Sequence, residues 1–227
     1  LPALGWTDAG AEYALELQAG QAVEREQPAG GEALAANNLL RPRGCHSCII
    51  ECGRATKVTN PKFAGEGEGP EYESAWGFGA DCGIDNLDAI IKANYLCNDL
   101  GLDTISTATP IACAMDLYEN GIIPLKDTGG IPLNFGNAEV MVEMVKLMGY
   151  RQGFGDKMAD GSYRLADAYG HPEYSMSCKK QEMPAYDPRG VQGIGLHYAT
   201  SNRGGCHVRG YTIAVEVLGN PVKMDQH

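Results

Sequence analysis

The 227-residue sequence has no apolar run approaching the roughly 20 residues that span a bilayer, so no transmembrane helix is expected. Basic residues are scarce: 18 Lys and Arg stand against 29 Asp and Glu, a net charge of −11. A phosphate backbone is neutralised by Lys and Arg, so this balance argues against nonspecific binding to nucleic acid or an anionic membrane. Leu1–Gly10 lacks a basic n-region and a proper h-region, so no signal peptide opens the chain and a cytoplasmic setting is expected. There is no internal repeat and no low-complexity run. A P-loop is absent as well, because no Lys is followed by Ser or Thr.

What is present is a chain with 44% apolar residues, long enough to bury a sizeable core. The first residue is not Met, and Met224–His227 carries no stop signal, so the sequence reads as a segment of a larger protein. Helical patterns dominate. Thr7 can cap a helix running to Glu26, and Asp85 starts a clear one with Leu87, Ile90, Ile91 and Tyr95 on its apolar face. Gly101 is that helix's natural C′ residue. A second helix is expected from Pro110, a good N1 residue, to Gly121, and a third from Asn137 to Gly149. Gly65–Gly69 reads as a flexible loop, and Tyr211–Val217 carries a weak strand signal. The expected fold class is mainly α. Pro172, Pro184 and Pro188 punctuate a change toward glycine-rich sequence, which places a boundary near residue 176. Residues 1–176 would then form one helical domain, and 177–227 the start of another.

Eight cysteines would suit a secreted disulfide scaffold only in a much shorter chain. Three of them crowd together as Cys45-x-x-Cys48-x-x-x-Cys52. Thiolates bind soft or borderline metals, and a C-x-x-C pair clamps one centre from a single turn of chain. A third thiolate four residues later reaches the same centre if the segment coils into a helix. Three cysteines in one short run favour a [4Fe–4S] cluster whose fourth ligand comes from elsewhere. A zinc site completed by His46 or another cysteine is the rival, and three unligated thiols the bland alternative. Cys206 stays open as a fourth ligand.

Three further stretches can carry chemistry. Glu73, in Gly69-Pro-Glu-Tyr-Glu73, lies near apolar Trp76 and Phe78, where a carboxyl pKa can rise and serve proton transfer. The alternative is a solvated acid at a helix start. In Asn98-Asp-Leu-Gly-Leu-Asp103, short polar residues and a glycine turn can meet a heterocycle. Equally, Gly101 ends a helix and Asp103 caps the next. In Tyr198–Gly210, glycines allow close approach of a ligand, Arg203 and Arg209 offer forked donors, and His207 can relay protons.

In order along the chain, CHSCIIECGR, EGPEYES, CNDLGLDTIS, DPRGVQGIG and YATSNRGGCHVRGY resemble the tungsten-containing aldehyde ferredoxin oxidoreductase family. The resemblance covers roughly residues 37–218. It implies a helical second domain and the start of a third, with the family's N-terminal β domain upstream. It implies that Cys45, Cys48 and Cys52 supply three cluster thiolates, the fourth ligand lying beyond residue 227. The first D-x-x-G-L motif falls on Asn98, Leu102 and Asp103, with Asn98 where the family has Asp. With Arg209, these would meet the pterin. Glu73 and His207 match the family's active-site glutamate and histidine. The implied cofactors are tungsten, or molybdenum, held by two pterin dithiolenes, and a [4Fe–4S] cluster. The implied reaction oxidises a small aldehyde to a carboxylic acid and passes electrons to ferredoxin or another electron-carrier subunit, in a protein that can be oligomeric. The isolated segment is then expected to be inactive. A low-potential reductase subunit acting on an aromatic thioester is a second reading, and a non-catalytic zinc-binding helical module a third.

Overall fold

The computed structural model describes residues 29–216. The helix expected over Thr7–Glu26 lies outside them. After a short helix α1 (Gly31–Asn37), three strands form an antiparallel sheet in the order β1 (Leu39–Arg43), β2 (Gly53–Val58), β3 (Gly65–Glu68). The rest is mainly helical, as expected. It comprises α2 (Tyr72–Trp76) with a π-helical continuation (Gly77–Asp81), α3 (Leu87–Leu100), α4 (Ile105–Glu119), α5 (Ala138–Gly149), α6 (Phe154–Met158) and α7 (Ser162–Ala168). A two-stranded hairpin, β4 (Ser177–Cys178) and β5 (Gln181–Glu182), precedes α8 (Gln192–Thr200) and α9 (Ile213–Glu216).

Gly65–Gly69 is not a loop. β3 pairs with β2 at Thr56↔Gly67 and Val58↔Gly65, and its glycines face the Tyr95 ring of α3. A Cβ at Gly65 or Gly67 would come within 3.0 Å of that ring, so the aromatic side chain fills the space that strand side chains would take. The Tyr95 hydroxyl completes the contact at 2.8 Å from Thr56 Oγ1. The alternating Glu66 and Glu68 point away, toward Lys57 and Arg43.

α3 begins at the Asn86 cap, whose side chain accepts the Ala89 N–H, and ends at Gly101 with φ of 69°. α4 starts five residues before Pro110, which sits inside the helix. Proline removes one helical N–H there, but α4 is buried on nearly all sides, with Ile111, Met115 and Leu117 fully enclosed. Burial on that scale, roughly 1.5–3 kcal/mol per large side chain, offsets the lost bond. α5 begins where Asn137 accepts the Val140 N–H, and packs Met141, Met144 and Val145 against α3 and α4. The strand signal at Tyr211–Val217 is overturned: Ile213–Glu216 is helical, with Ile213 buried against α8.

A large apolar group joins α3 through α7, while Met183, Tyr186, Val191, Ile194, Tyr198 and Ile213 form a smaller one. Trp76 and Ala185 form a third, smaller group with Ala80 and Met176 at its edge. α5 and α6 meet closely, because a methyl on Gly155 would overlap the Leu147 backbone. Backbone cannot yield as a flexible side chain does. Gly155→Ala is expected to destabilise the fold by about 1–3 kcal/mol, read as a lower urea midpoint at unchanged slope.

Candidate active site

Glu73 lies in the first turn of α2, and its Oε2 accepts the Ala185 N–H at 2.9 Å. This bond ties the start of α2 to the segment after β5. Its Oε1 is buried without a hydrogen-bond partner of its own among the described residues. Burial pushes the Glu73 pKa up to about 7, against the opposing pull of the Ala185 N–H and the Tyr186 hydroxyl. The negative charge of Asp103 adds to the rise. A carboxyl balanced between its two forms near neutral pH is suited to both accepting and returning a proton.

Asp103 reaches this place through the turn between α3 and α4. Gly101 adopts the left-handed conformation, the Leu102 N–H returns to the Cys97 carbonyl at 2.9 Å, and Leu102 packs on the main core. Asp103 then caps α4, its Oδ1 accepting the Ser106 N–H at 2.8 Å. A further bond from Ser74 Oγ to Thr104 Oγ1, 2.8 Å, fixes α2 beside that cap. The capping role therefore holds, and it also puts the exposed Asp103 carboxylate within electrostatic reach of Glu73 and His207. Asn98 is exposed on the last turn of α3.

His207 arrives from the glycine-rich stretch. Its ring is half-buried, and desolvation lowers its pKa, with Asp103 opposing part of that fall. The loop is held by His197, whose Nε2 donates to the Cys206 carbonyl at 2.7 Å. Its glycines have a different use from the one expected. Gly204 and Gly205 let the loop lie against the backbone of Cys178, Gln181 and Glu182, so they admit protein rather than ligand. Arg203 and Arg209 are exposed.

Tyr186 is the site residue that sequence reasoning missed. It is buried, its ring lies 5.6 Å from His207 and 6.1 Å from Tyr72, and Tyr211 hydrogen-bonds its hydroxyl. Burial and the Glu73 charge raise its own pKa, so the hydroxyl stays protonated. Glu73, Asp103, Tyr186 and His207 thus converge from four separate segments. Asp103→Asn keeps an oxygen for the cap but removes the charge. Because that charge raises both neighbours, the pKa values of Glu73 and His207 are expected to fall, as read by NMR titration; unmoved values would contradict the coupling.

The cysteine run is a hairpin loop between β1 and β2, not a helix. Ser47 and Glu51 take left-handed backbone angles, and the Cys48 N–H bonds the Cys45 carbonyl at 3.1 Å. All three thiols are exposed and unbridged. No group of three or more His, Cys, Asp or Glu side chains among the described residues is arranged to hold a metal. Cys206 belongs elsewhere: it is buried in the loop that His197 holds. No helix among the described residues is long and apolar enough to cross a membrane.

Residues 7–227 match the family model described as aldehyde ferredoxin oxidoreductase, domains 2 and 3. Tungsten-containing aldehyde ferredoxin oxidoreductases of Pyrococcus furiosus and Thermococcus kodakarensis are 54% and 52% identical over 198 residues, 87% of this chain. The chain spans 32% of the length of each of these relatives. The WOR-like subunit of an aliphatic sulfonate oxidoreductase of P. furiosus is 30% identical over 53% of this chain and 19% of its own length. Among solved structures, the active-site complex BamBC of benzoyl-coenzyme A reductase with 1,5-dienoyl-CoA matches with a TM-score of 0.62. That likeness has 22% identity and covers 76% of this chain and 26% of the other, and it concerns the fold alone.

Proposed function

Because this chain belongs to the aldehyde ferredoxin oxidoreductase family, we propose that the complete protein oxidises an aldehyde to a carboxylic acid at a tungsten-bispterin centre. Electrons would leave through a [4Fe–4S] cluster to ferredoxin or a comparable carrier. The observation that carries this reading is Glu73: a buried carboxyl with a pKa of about 7, held by the Ala185 N–H and the Tyr186 hydroxyl. Family membership supports the cofactor; Glu73 supports the chemistry.

The residues present fit both groups. Three exposed thiols in one loop are soft donors suited to iron, three of the four that a cubane takes. Exposed Asn98, Asp103 and Arg209 have donors and acceptors for a pterin, and the unpartnered Glu73 Oε1 has spare accepting capacity. When bound, the tungsten centre supplies the two-electron redox chemistry that no side chain can.

The protein's part is the protons. Aldehyde and water yield a carboxylic acid, two protons and two electrons. Glu73, ionised in part near neutral pH, takes a proton from the incoming water at its Oε1. The Ala185 N–H and the Tyr186 hydroxyl hold its carboxylate in place meanwhile. His207, its pKa lowered by burial, is neutral near pH 7 and can accept a second proton and hand it outward. The test is aldehyde-dependent reduction of a low-potential dye by the full-length protein under anaerobic conditions. Dye reduction with aldehyde supports the reading. Turnover with an aromatic thioester but no aldehyde would contradict it.

A further inference from the structure

We propose that Tyr186 and Tyr211 form a hydrogen-bonded relay that carries the proton taken up by Glu73 outward. This deepens the aldehyde-oxidising reading and rests on it. The reaction releases two protons and His207 accounts for one, so Glu73 must shed its own before it can act again. The Tyr186 hydroxyl bonds the Glu73 carboxyl on one side and the Tyr211 hydroxyl on the other. Tyr186 is buried and Tyr211 half exposed, so the hydroxyls run from an enclosed acid to a more open end among the described residues. Both phenols are anchored. Tyr186 follows Ala185, whose N–H holds Glu73 Oε2 at 2.9 Å, so adjacent residues fix acid and phenol together. The Tyr198 hydroxyl donates to the Tyr186 carbonyl at 3.3 Å, which engages that neighbouring phenol elsewhere. Tyr211 follows Gly210, which has no room for a Cβ beside the His197 ring, and precedes buried Ile213 by two residues.

A phenol hydroxyl both donates and accepts, so this chain of bonds can point either way. With Glu73 ionised, Tyr211 donates to Tyr186 and Tyr186 donates to the carboxylate. With Glu73 protonated, the carboxyl donates to Tyr186 and Tyr186 donates to Tyr211. Passing from the second arrangement to the first moves one proton outward. The Glu73 proton goes to the Tyr186 oxygen, the Tyr186 proton to the Tyr211 oxygen, and the Tyr211 proton to a base in solvent. Each phenol loses one O–H bond and gains another, so both end neutral and only Glu73 becomes charged. Burial and the Glu73 charge hold the Tyr186 pKa well above its ordinary value, so the protons shift together and no Tyr186 anion forms. The relay resets when the two hydroxyls turn, once Glu73 has taken its next proton.

The experiment measures kcat per bound tungsten in the full-length holoenzyme for Tyr186→Phe, Tyr211→Phe and the double variant. Phenylalanine keeps each ring and removes only the hydroxyl. Each single change is expected to lower kcat about 10²-fold, the low end of a proton-transfer group's worth. The double variant should fall no further than the slower single one, because a relay cut once is already broken. Unchanged kcat in Tyr211→Phe, or losses that multiply in the double variant, overturn the proposal. A second readout needs no turnover: carbon-13 NMR of the full-length protein labelled at tyrosine Cζ, followed as Glu73 titrates near its pKa of about 7. Tyr186 and Tyr211 should shift together with that midpoint. The neighbouring charges are Asp103 and His207, so Glu73→Gln should remove this step and leave any due to them. In Tyr186→Phe the Tyr211 signal should also lose the step. A Tyr211 signal that keeps it, or never shows it in the parent, contradicts the relay. A parent that oxidises no aldehyde defeats the aldehyde reading itself, and the NMR result then decides the relay separately.

Discussion

Glu73→Gln in the full-length enzyme is expected to lower kcat by about 10²–10⁴-fold, the usual worth of a positioned proton-transfer group. Glutamine keeps an oxygen for the Ala185 N–H, so the segment after β5 stays attached while the titrating proton is lost. The parent rate should rise with pH through about 7, as Glu73 ionises, and the variant should lose that limb. Stability moves the other way. The folded pKa is raised from 4.5 to about 7, so the native chain binds the proton more tightly than the unfolded chain. Glu73 therefore costs the fold stability as pH rises from 4.5 toward 7, on the order of 3 kcal/mol at the upper end. The glutamine variant escapes this cost, so its melting temperature relative to the parent should climb across that interval. A variant that turns over normally while melting normally would remove Glu73 from the chemistry.

Cys48→Ser should have the second large effect, on iron content instead of on folding. A hydroxyl is a poor replacement for a thiolate at iron, and Cys48 is the middle donor of the loop. The side chain is exposed, so thermal stability of the metal-free chain should change by less than about 0.5 kcal/mol. The anaerobically purified variant is expected to lose the brown visible absorption and most of its iron. Retained iron at the parent level, or zinc in parent and variant alike, would contradict the cluster assignment.

The helices were legible in the sequence where a cap and an apolar face agreed. Asn137 before Val140, Met141 and Met144 placed α5, and Gly101 ended α3 because only a left-handed residue closes that turn comfortably. The misreadings have physical causes. Pro110 looked like a helix start, but the burial of α4 overrides a single missing N–H. Gly65–Glu68 looked like a loop because glycine weakens strands, although its alternation with glutamate was a period of two. The ring that makes glycine necessary there, Tyr95, is thirty residues away. Glu73 and His207 are candidates that the order of motifs along the chain singles out. Tyr186 carries no motif, and its meaning appears only when β5 brings residue 185 to residue 73. Asp103 was read as a cap or as a ligand contact; the structure shows the cap, and charge coupling to Glu73 beside it.

The account stands most directly on metal content. Full-length protein purified without oxygen should contain tungsten near one atom per chain together with about four iron atoms, the complement of one cubane. Aldehyde-dependent dye reduction should scale with the tungsten found in each preparation. Stoichiometric zinc with neither tungsten nor iron would contradict the central claim.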